Sequence, residues 1–182
     1  MGQAKQLMPL QGKPIIRRCL DTLREAGLES IVVVLGARSG EIAGVLGGLP
    51  VTIVLNEQPG SDMAGSVRAG LAAVSDQCSG VLLSLADHPL VSPATIRTLV
   101  ARHGEHPGSI IIPVHEERRG HPALFPYHAL KEIYTEMTLR DIIRKAPGRV
   151  HCVAVQDPGV ILDMDTREDY ERICALAREA AR

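Results

Sequence analysis

The chain contains no tryptophan, one phenylalanine and three tyrosines among 182 residues. That scarcity excludes the stacking platforms on which single-stranded nucleic acids are held. It also lacks an excess of either charge, with a net charge of −1 and a pI near 6.7. Without a basic field to follow a phosphate backbone, no nucleic-acid partner is expected. No apolar run reaches the roughly 18 residues of a membrane span. Residues 1–10 have no apolar signal core, so the reading is a soluble cytoplasmic protein. The four cysteines, Cys19, Cys78, Cys152 and Cys174, form no C-x-x-C pair. Zinc-knuckle and thioredoxin-type chemistry are therefore absent. They are too sparse for a disulfide scaffold and read as reduced, buried thiols. There is no internal repeat, low-complexity tract or linker, and the length fits a single domain over 1–182.

With so few aromatics, the core must come from Val, Ile, Leu and Ala. Residues 31–35, 51–55, 81–85, 110–112 and 150–155 are almost continuously apolar. Such runs suit strands buried on both faces, as in parallel sheets. Helical patterns alternate with them near 14–26, 39–47, 64–76, 93–103, 128–145 and 166–181. Pro14 suits a first helical turn and Gly27 a C-terminal stop. Thr166 reads as an N-cap with Asp169 three residues on. The alternation predicts a three-layer α/β domain with right-handed crossovers. The Gly/Pro-rich stretches 56–62 and 104–108 read as loops. The opening segment, by contrast, reads as a loop running directly into a helix.

Several clusters carry candidate chemistry. Gly12-Lys13 is not a P-loop, because Leu7 and Pro14 occupy positions that need glycine and Ser/Thr. The loop holding Gly2 and Lys5 suits either a polyphosphate or plain solvation. Asp87 follows the third apolar run, and ligands in open α/β sheets bind outside strand ends. An acid there either holds Mg²⁺ or closes a turn before Pro89. Asp163 and Asp165 point the same way on an extended segment. They offer a second half of a metal site or a set of helix-capping acids. Gly65 and Ser66 open a helix whose free N–H groups would meet polar ligand edges. Arg118, Arg119, Gly120 and His121 form a basic turn, suited to an anionic substrate or to a solvated hairpin. His103, His106, His128 and His151 have no ligand-like spacing and read as structural or surface residues.

The order of these clusters resembles the MobA-like nucleotidyltransferases. It runs M-G-x-x-K-Q-L-x-P-L-x-G-K-P, G-S-V-R-A-G-L, L-A-D-H-P-L, R-G-H-P-A-L-F and D-M-D-T-x-E-D, spanning residues 1 to about 170. The match looks most like the molybdenum cofactor cytidylyltransferase branch. The resemblance implies a Rossmann-like nucleotidyltransferase fold with a mostly parallel mixed sheet. It implies transfer of CMP from CTP to the phosphate of a molybdopterin-type substrate, with Mg²⁺ and release of pyrophosphate. Lys5 and Gly2 would meet the triphosphate. Asp87 and Asp165 would hold the metal, with Asp163 beside them. Gly65 and Ser66 would meet the base, and Arg119, Gly120 and His121 the acceptor. The absence of an Asp-Lys pair at Gln6-Leu7 favours CTP over GTP.

The pattern departs from the family at its beginning, which matches only from the signature's Met-Gly onward. The family's first strand, glycine-rich loop and signature arginine have no counterpart here. Their absence is expected to leave two strands without a ladder partner and to expose apolar surface. Gly65, His88 and Arg167 also replace common family residues. Three alternatives therefore stand. One is guanylyl or sugar-phosphate nucleotidyl transfer on the same fold. Another is a non-catalytic molybdenum cofactor carrier that contacts a molybdoenzyme or assembly factor. The third is a paralogue without a site.

Overall fold

A computed structural model describes residues 4–36, 39–58, 62–136 and 138–180. The chain opens with a 3-10 turn at Lys5–Leu7 and a small hairpin of β1 (Pro9–Leu10) and β2 (Lys13–Pro14). Gln11 and Gly12 lie between them with φ of 51° and 79°. Those are the left-handed conformations a two-residue hairpin needs. The opening segment expected to be a plain loop is thus a turn and a hairpin, closed by a Gln-Gly pair. Helix α1 (Ile15–Glu25) follows and buries Ile15, Ile16, Leu20 and Leu23 on one face. Gly27 stops it at φ 91°, and Leu28 N–H closes back on the Leu23 carbonyl at 3.1 Å. That is the left-handed glycine stop expected there.

Strand β3 (Val32–Gly36), helix α2 (Gly40–Leu46), strand β4 (Thr52–Asn56) and helix α3 (Met63–Leu71) come next. Strands β3 and β4 pair in parallel over five residues. Then come β5 (Gly80–Leu83), α4 (Pro93–Glu105), β6 (Ile110–His115), β7 (Arg118–Arg119) and β8 (Ala123–Pro126). The chain ends with α5 (Tyr127–Leu130), α6 (Leu139–Lys145), β9 (Val150–Ala154) and α7 (Arg167–Glu179). Strands β5 to β9 form a mixed sheet in the order β5-β8-β6-β7, with β9 parallel to β6. Among the described residues β3 pairs with β4 alone and β5 with β8 alone. Each therefore has one laddered edge. A β3–β4 pair alone is marginal in water, so its stability must come from the helices against it.

Helices cover both faces. On one, α1, α2 and α4 bury Leu20, Leu46 and Ile96 against Leu35 of β3, and Leu82 of β5 reaches the same cluster. On the other, α3, α5 and α6 pack Leu71, Leu130 and Ile142 against Ile110, Ile112 and Phe125. Val81 and Leu83 join this second cluster while Leu82 joins the first, the alternation a twice-covered strand requires. The layers are those of a Rossmann-like α/β fold.

Two expectations need correction. The helix over 128–145 is divided into α5, a 3-10 turn at Lys131–Tyr134, and α6. Thr138 restarts it by accepting the Asp141 N–H at 3.2 Å, a cap worth about 1 kcal/mol. Strand β8, hidden behind the basic turn, is fully buried and joins β5 to β6.

Candidate active site

Three distant segments converge beyond the end of β5. Lys5 Nζ donates to Asp87 Oδ2 at 2.9 Å and to Asp165 Oδ1 at 2.8 Å. The partners are 82 and 160 residues away in sequence. Asp87 sits in the turn after β5, and Asp165 precedes the N-cap of α7. The Lys5 side chain is 28% exposed and that of Asp87 23%, so both are partly shielded from water. Asp165 is open at 67%.

His88 completes the arrangement. Its Nδ1 lies 3.0 Å from Asp87 Oδ1. With the carboxylate ionised, Nδ1 carries the proton and donates. The hydrogen bond from His88, and then that from Lys5, hold the Asp87 carboxyl far below its ordinary range, against burial that pushes it up. Burial opposes the Lys5 charge, yet its hydrogen bonds to Asp165 and Asp87 outweigh that and raise it above its usual value. One ammonium between two carboxylates leaves a local excess of negative charge.

Local folding explains how these groups are aimed. Met164 is fully buried between Asp163 and Asp165, so both acids face outward. It packs with Leu10, Ile15 and Ile173, joining the N-terminal hairpin to α7. The Tyr170 hydroxyl donates to the Pro9 carbonyl at 2.6 Å, and Gln11 Nε2 donates to the Ala177 carbonyl. Thr166 and Asp169 form the expected reciprocal cap, which fixes the start of α7 just past Asp165.

Two glycines let the remaining loops approach. A Cβ on Gly120 would collide with the Val160 carbonyl, and one on Gly159 with that of Leu90. Asp157 ties the same region together, accepting from Gly159 N–H at 2.9 Å and Thr95 Oγ1 at 2.6 Å. These contacts bring the Asp87 turn, the basic turn and the segment before Asp163 to one surface.

Beside the Lys5 cluster lies a cavity of about 250 Å³, lined by Asp87, His88, Arg119, Gly120, His121 and Asp163, among others. His121 packs edge-on against His88 with ring centroids 5.3 Å apart. Its buried Nδ1 has no hydrogen-bond partner among the described residues. Burial, and then His88, lower the His121 pKa. The His121–Pro122 peptide is cis. Neither Arg118 nor Arg119 makes a side-chain hydrogen bond or ion pair among the described residues. They form β7, the second strand of the hairpin that begins with β6.

The structure brings Lys5, Asp87 and Asp165 together, with Asp163 and the Arg119–His121 turn on the adjoining cavity wall. Gly65 and Ser66 lie at the start of α3 and are not among the residues lining that cavity. Gly65 N–H donates to Asp62 Oδ1 at 2.8 Å, and Asn56 Nδ2 donates to Ser66 Oγ at 3.3 Å. No hydrogen bond or ion pair joins them to the Lys5 cluster among the described residues. Gly2 lies outside the described residues. Sequence reasoning gave no role to His88, Gly159 or Tyr170. The His88–Asp87 adjacency was visible, but Gly159 and Tyr170 act through contacts that no local pattern announces.

Among the described residues no three His, Cys, Asp or Glu side chains gather into a metal centre. Asp87 and Asp165 still offer two hard carboxylate oxygens. That donor set suits a magnesium-type cation whose other ligands are waters and substrate phosphates.

A three-layer α/β domain with a lysine and two acids beyond its strand ends defines a nucleotidyltransferase-type protein. The chain belongs to the MobA-like NTP transferase family, whose domain model matches residues 1–150. It is 27% identical over 180 residues to nicotine blue oxidoreductase of Paenarthrobacter nicotinovorans, covering 93% of this chain and 87% of that protein. It is 29% identical over 159 residues to 2-C-methyl-D-erythritol 4-phosphate cytidylyltransferase of Frankia casuarinae, covering 86% of this chain and 53% of that protein. Among solved structures it resembles a manganese complex of Rv0371C from Mycobacterium tuberculosis H37Rv. That match has a TM-score of 0.76 and 27% identity, covering 94% of this chain and 91% of the other. No helix among the described residues is long and apolar enough to cross a membrane.

Proposed function

We propose that residues 1–182 act as one cytoplasmic nucleotidyltransferase domain that transfers CMP from CTP to a molybdopterin-type phosphate. The observation that carries this reading is the Lys5 ammonium set between Asp87 and Asp165, beside a cavity rimmed by arginine and histidine. Asp87 and Asp165 are the residues that would hold Mg²⁺, with Asp163 close by. Bound there, the cation would neutralise the triphosphate and stabilise charge as the leaving pyrophosphate departs. Lys5 would contact the triphosphate through its ammonium. Gly2 would also contact the triphosphate, and Gly65 and Ser66 would meet the base. Arg119, Gly120 and His121 would orient the acceptor phosphate for in-line attack. No protein nucleophile is needed, because positioning and charge neutralisation suffice for transfer of this kind.

The Frankia relative supports a cytidylyl donor, and its name gives a sugar-alcohol phosphate as acceptor. It therefore also favours the sugar-phosphate alternative. The manganese complex supports a divalent cation on this scaffold. A redox reading is carried by the Paenarthrobacter relative, which is named an oxidoreductase.

A melting-temperature panel with CTP, GTP and ATP, each with and without Mg²⁺, tests the donor and the metal together. A ligand at 100 times its Kd adds about 2.7 kcal/mol, enough to move a domain of this size by several degrees. A Mg²⁺-dependent shift that is largest with CTP is expected. Equal shifts with and without Mg²⁺ would overturn the metal reading. Cofactor binding indifferent to any nucleotide would favour the carrier. Reduction of an added electron acceptor without pyrophosphate release would favour the redox reading.

A further inference from the structure

We propose that Lys5 and the divalent cation are alternative occupants of the Asp87–Asp165 pair, so that metal binding releases the Lys5 ammonium to the nucleotide's phosphates. This inference rests on the metal reading above. The argument begins with which oxygens are available. Asp87 Oδ1 is engaged by His88 at 3.0 Å, so Asp87 turns only Oδ2 toward the site. That same Oδ2 accepts from Lys5 Nζ at 2.9 Å, and Asp165 Oδ1 accepts from it at 2.8 Å. A cation joining the two acids needs Asp87 Oδ2, which Lys5 holds, and meets Asp165 either at the Oδ1 that Lys5 also holds or at its open Oδ2.

Distance and charge make the two occupants exclusive. Carboxylate oxygens bind Mg²⁺ at about 2.0–2.1 Å. A cation at that distance from Asp87 Oδ2 would crowd the ammonium already bonded to the same oxygen. Two like charges so close, partly shielded from water, repel strongly. Lys5 can leave because its ammonium is carried on a flexible four-carbon stem with three rotatable donors. It meanwhile holds two acids together that would otherwise repel, keeping the segments from both ends of the chain in register. The released ammonium then becomes available to a polyphosphate. Cation binding and phosphate binding are thereby linked through one side chain.

The test reads the lysine directly and needs no turnover. The chain has four lysines, Lys5, Lys13, Lys131 and Lys145. With lysine ¹³C-labelled at Cε, Mg²⁺ is titrated into the wild-type protein without nucleotide. The Lys5 resonance should move toward its free-lysine position while those of Lys13, Lys131 and Lys145 stay fixed. In parallel, calorimetry compares Mg²⁺ binding by wild type, Lys5→Met and Arg119→Gln. Lys5→Met should bind Mg²⁺ about tenfold tighter or more, because the metal no longer displaces two charge-assisted hydrogen bonds. Arg119→Gln, which removes a nearby positive charge without touching the pair, should change affinity by less than about threefold at ordinary ionic strength. Metal binding to wild type with an unmoved Lys5 resonance, or no gain in Lys5→Met, would overturn the exchange and leave the metal site standing. Absence of Mg²⁺ binding in both wild type and Lys5→Met would overturn the metal reading and the exchange with it.

Discussion

The two sides of the Asp87 turn differ in how their polar groups are satisfied. On one side Lys5, Asp87, Asp165 and His88 form a closed network of three hydrogen bonds between 2.8 and 3.0 Å. On the other, Arg118, Arg119 and Asp163 make no side-chain hydrogen bond or ion pair among the described residues, and the buried His121 Nδ1 is unpartnered. The first side is built before any ligand arrives. The second keeps its hydrogen-bonding capacity for something yet to come. Preorganised charge is what stabilises a transition state, whereas unspent donors are what recognise a substrate. The closed side should therefore govern rate and the open side acceptor affinity.

The strongest way to break this comparison is to remove an acid from the closed side. Asp87→Ala and Asp165→Ala should each lower metal-dependent turnover by about a thousandfold, comparable to losing a principal electrostatic group. Circular dichroism should show the fold intact, and near-normal turnover in either variant would remove that residue from the machinery. The scaffold between the two sides is the next target. Gly159→Ala and Gly120→Ala should each cost about 1–3 kcal/mol in denaturant melts, since a methyl must push against a carbonyl. Unchanged midpoints would show that the loops are not held so closely.

The open side should respond differently. Arg119→Gln should raise the acceptor KM about tenfold, as for loss of one charge-assisted contact, while leaving the CTP KM unchanged. An equal effect on both substrates would merge the two sides. Tyr170→Phe should cost about 1 kcal/mol of stability through its lost bond to the Pro9 carbonyl. Because Pro9 lies close to Lys5, the variant should also weaken nucleotide binding modestly, as isothermal titration would read.

The smallest expected effect lies outside the site. His103 is 6% exposed, and a hydrogen bond with the Ser79 backbone only partly offsets the effect of its burial. Burial lowers its pKa below the ordinary value of 6.5. As pH falls through 6.5 the unfolded chain takes up a proton that the native state still refuses, so stability drops with falling pH. Chemical denaturation between pH 7.5 and pH 5 should show a slope that His103→Leu reduces. An unchanged slope would assign the acid sensitivity to other groups.

Much of the scaffold was legible in the sequence. The apolar runs at 31–35, 51–55, 110–112 and 150–155 fall on β3, β4, β6 and β9, the first two displaced by a residue, the third lengthened and the last one residue shorter. Their periodicity is a local property, and burial on both faces leaves no polar residue to disguise it. The run at 81–85 begins one residue late and ends two residues late, because Ser84 and Leu85 already belong to the turn that carries Asp87. Strand β8 was not legible, since Ala123–Pro126 is short and follows a basic turn. The division between α5 and α6 was also hidden, because apolar residues continue through 128–145 at helical spacing. Of the site, Lys5, Asp87 and Asp165 were legible by residue type and order. Their meeting was legible only through the family resemblance, which put Asp87 and Asp165 on one metal; nothing local tells that acids 82 and 160 positions from Lys5 share it as a proton donor. The role of Tyr170 was equally hidden, being a long-range bond to a backbone carbonyl.

The most direct test follows the α-phosphate of CTP. CTP labelled at that position is incubated with the protein, a pterin phosphate acceptor and Mg²⁺. The account predicts label in the acceptor, an equal yield of pyrophosphate, and loss of both on chelation or in Asp87→Ala. Acceptor binding with no label transferred and no pyrophosphate released, at any nucleotide and metal concentration, would contradict it.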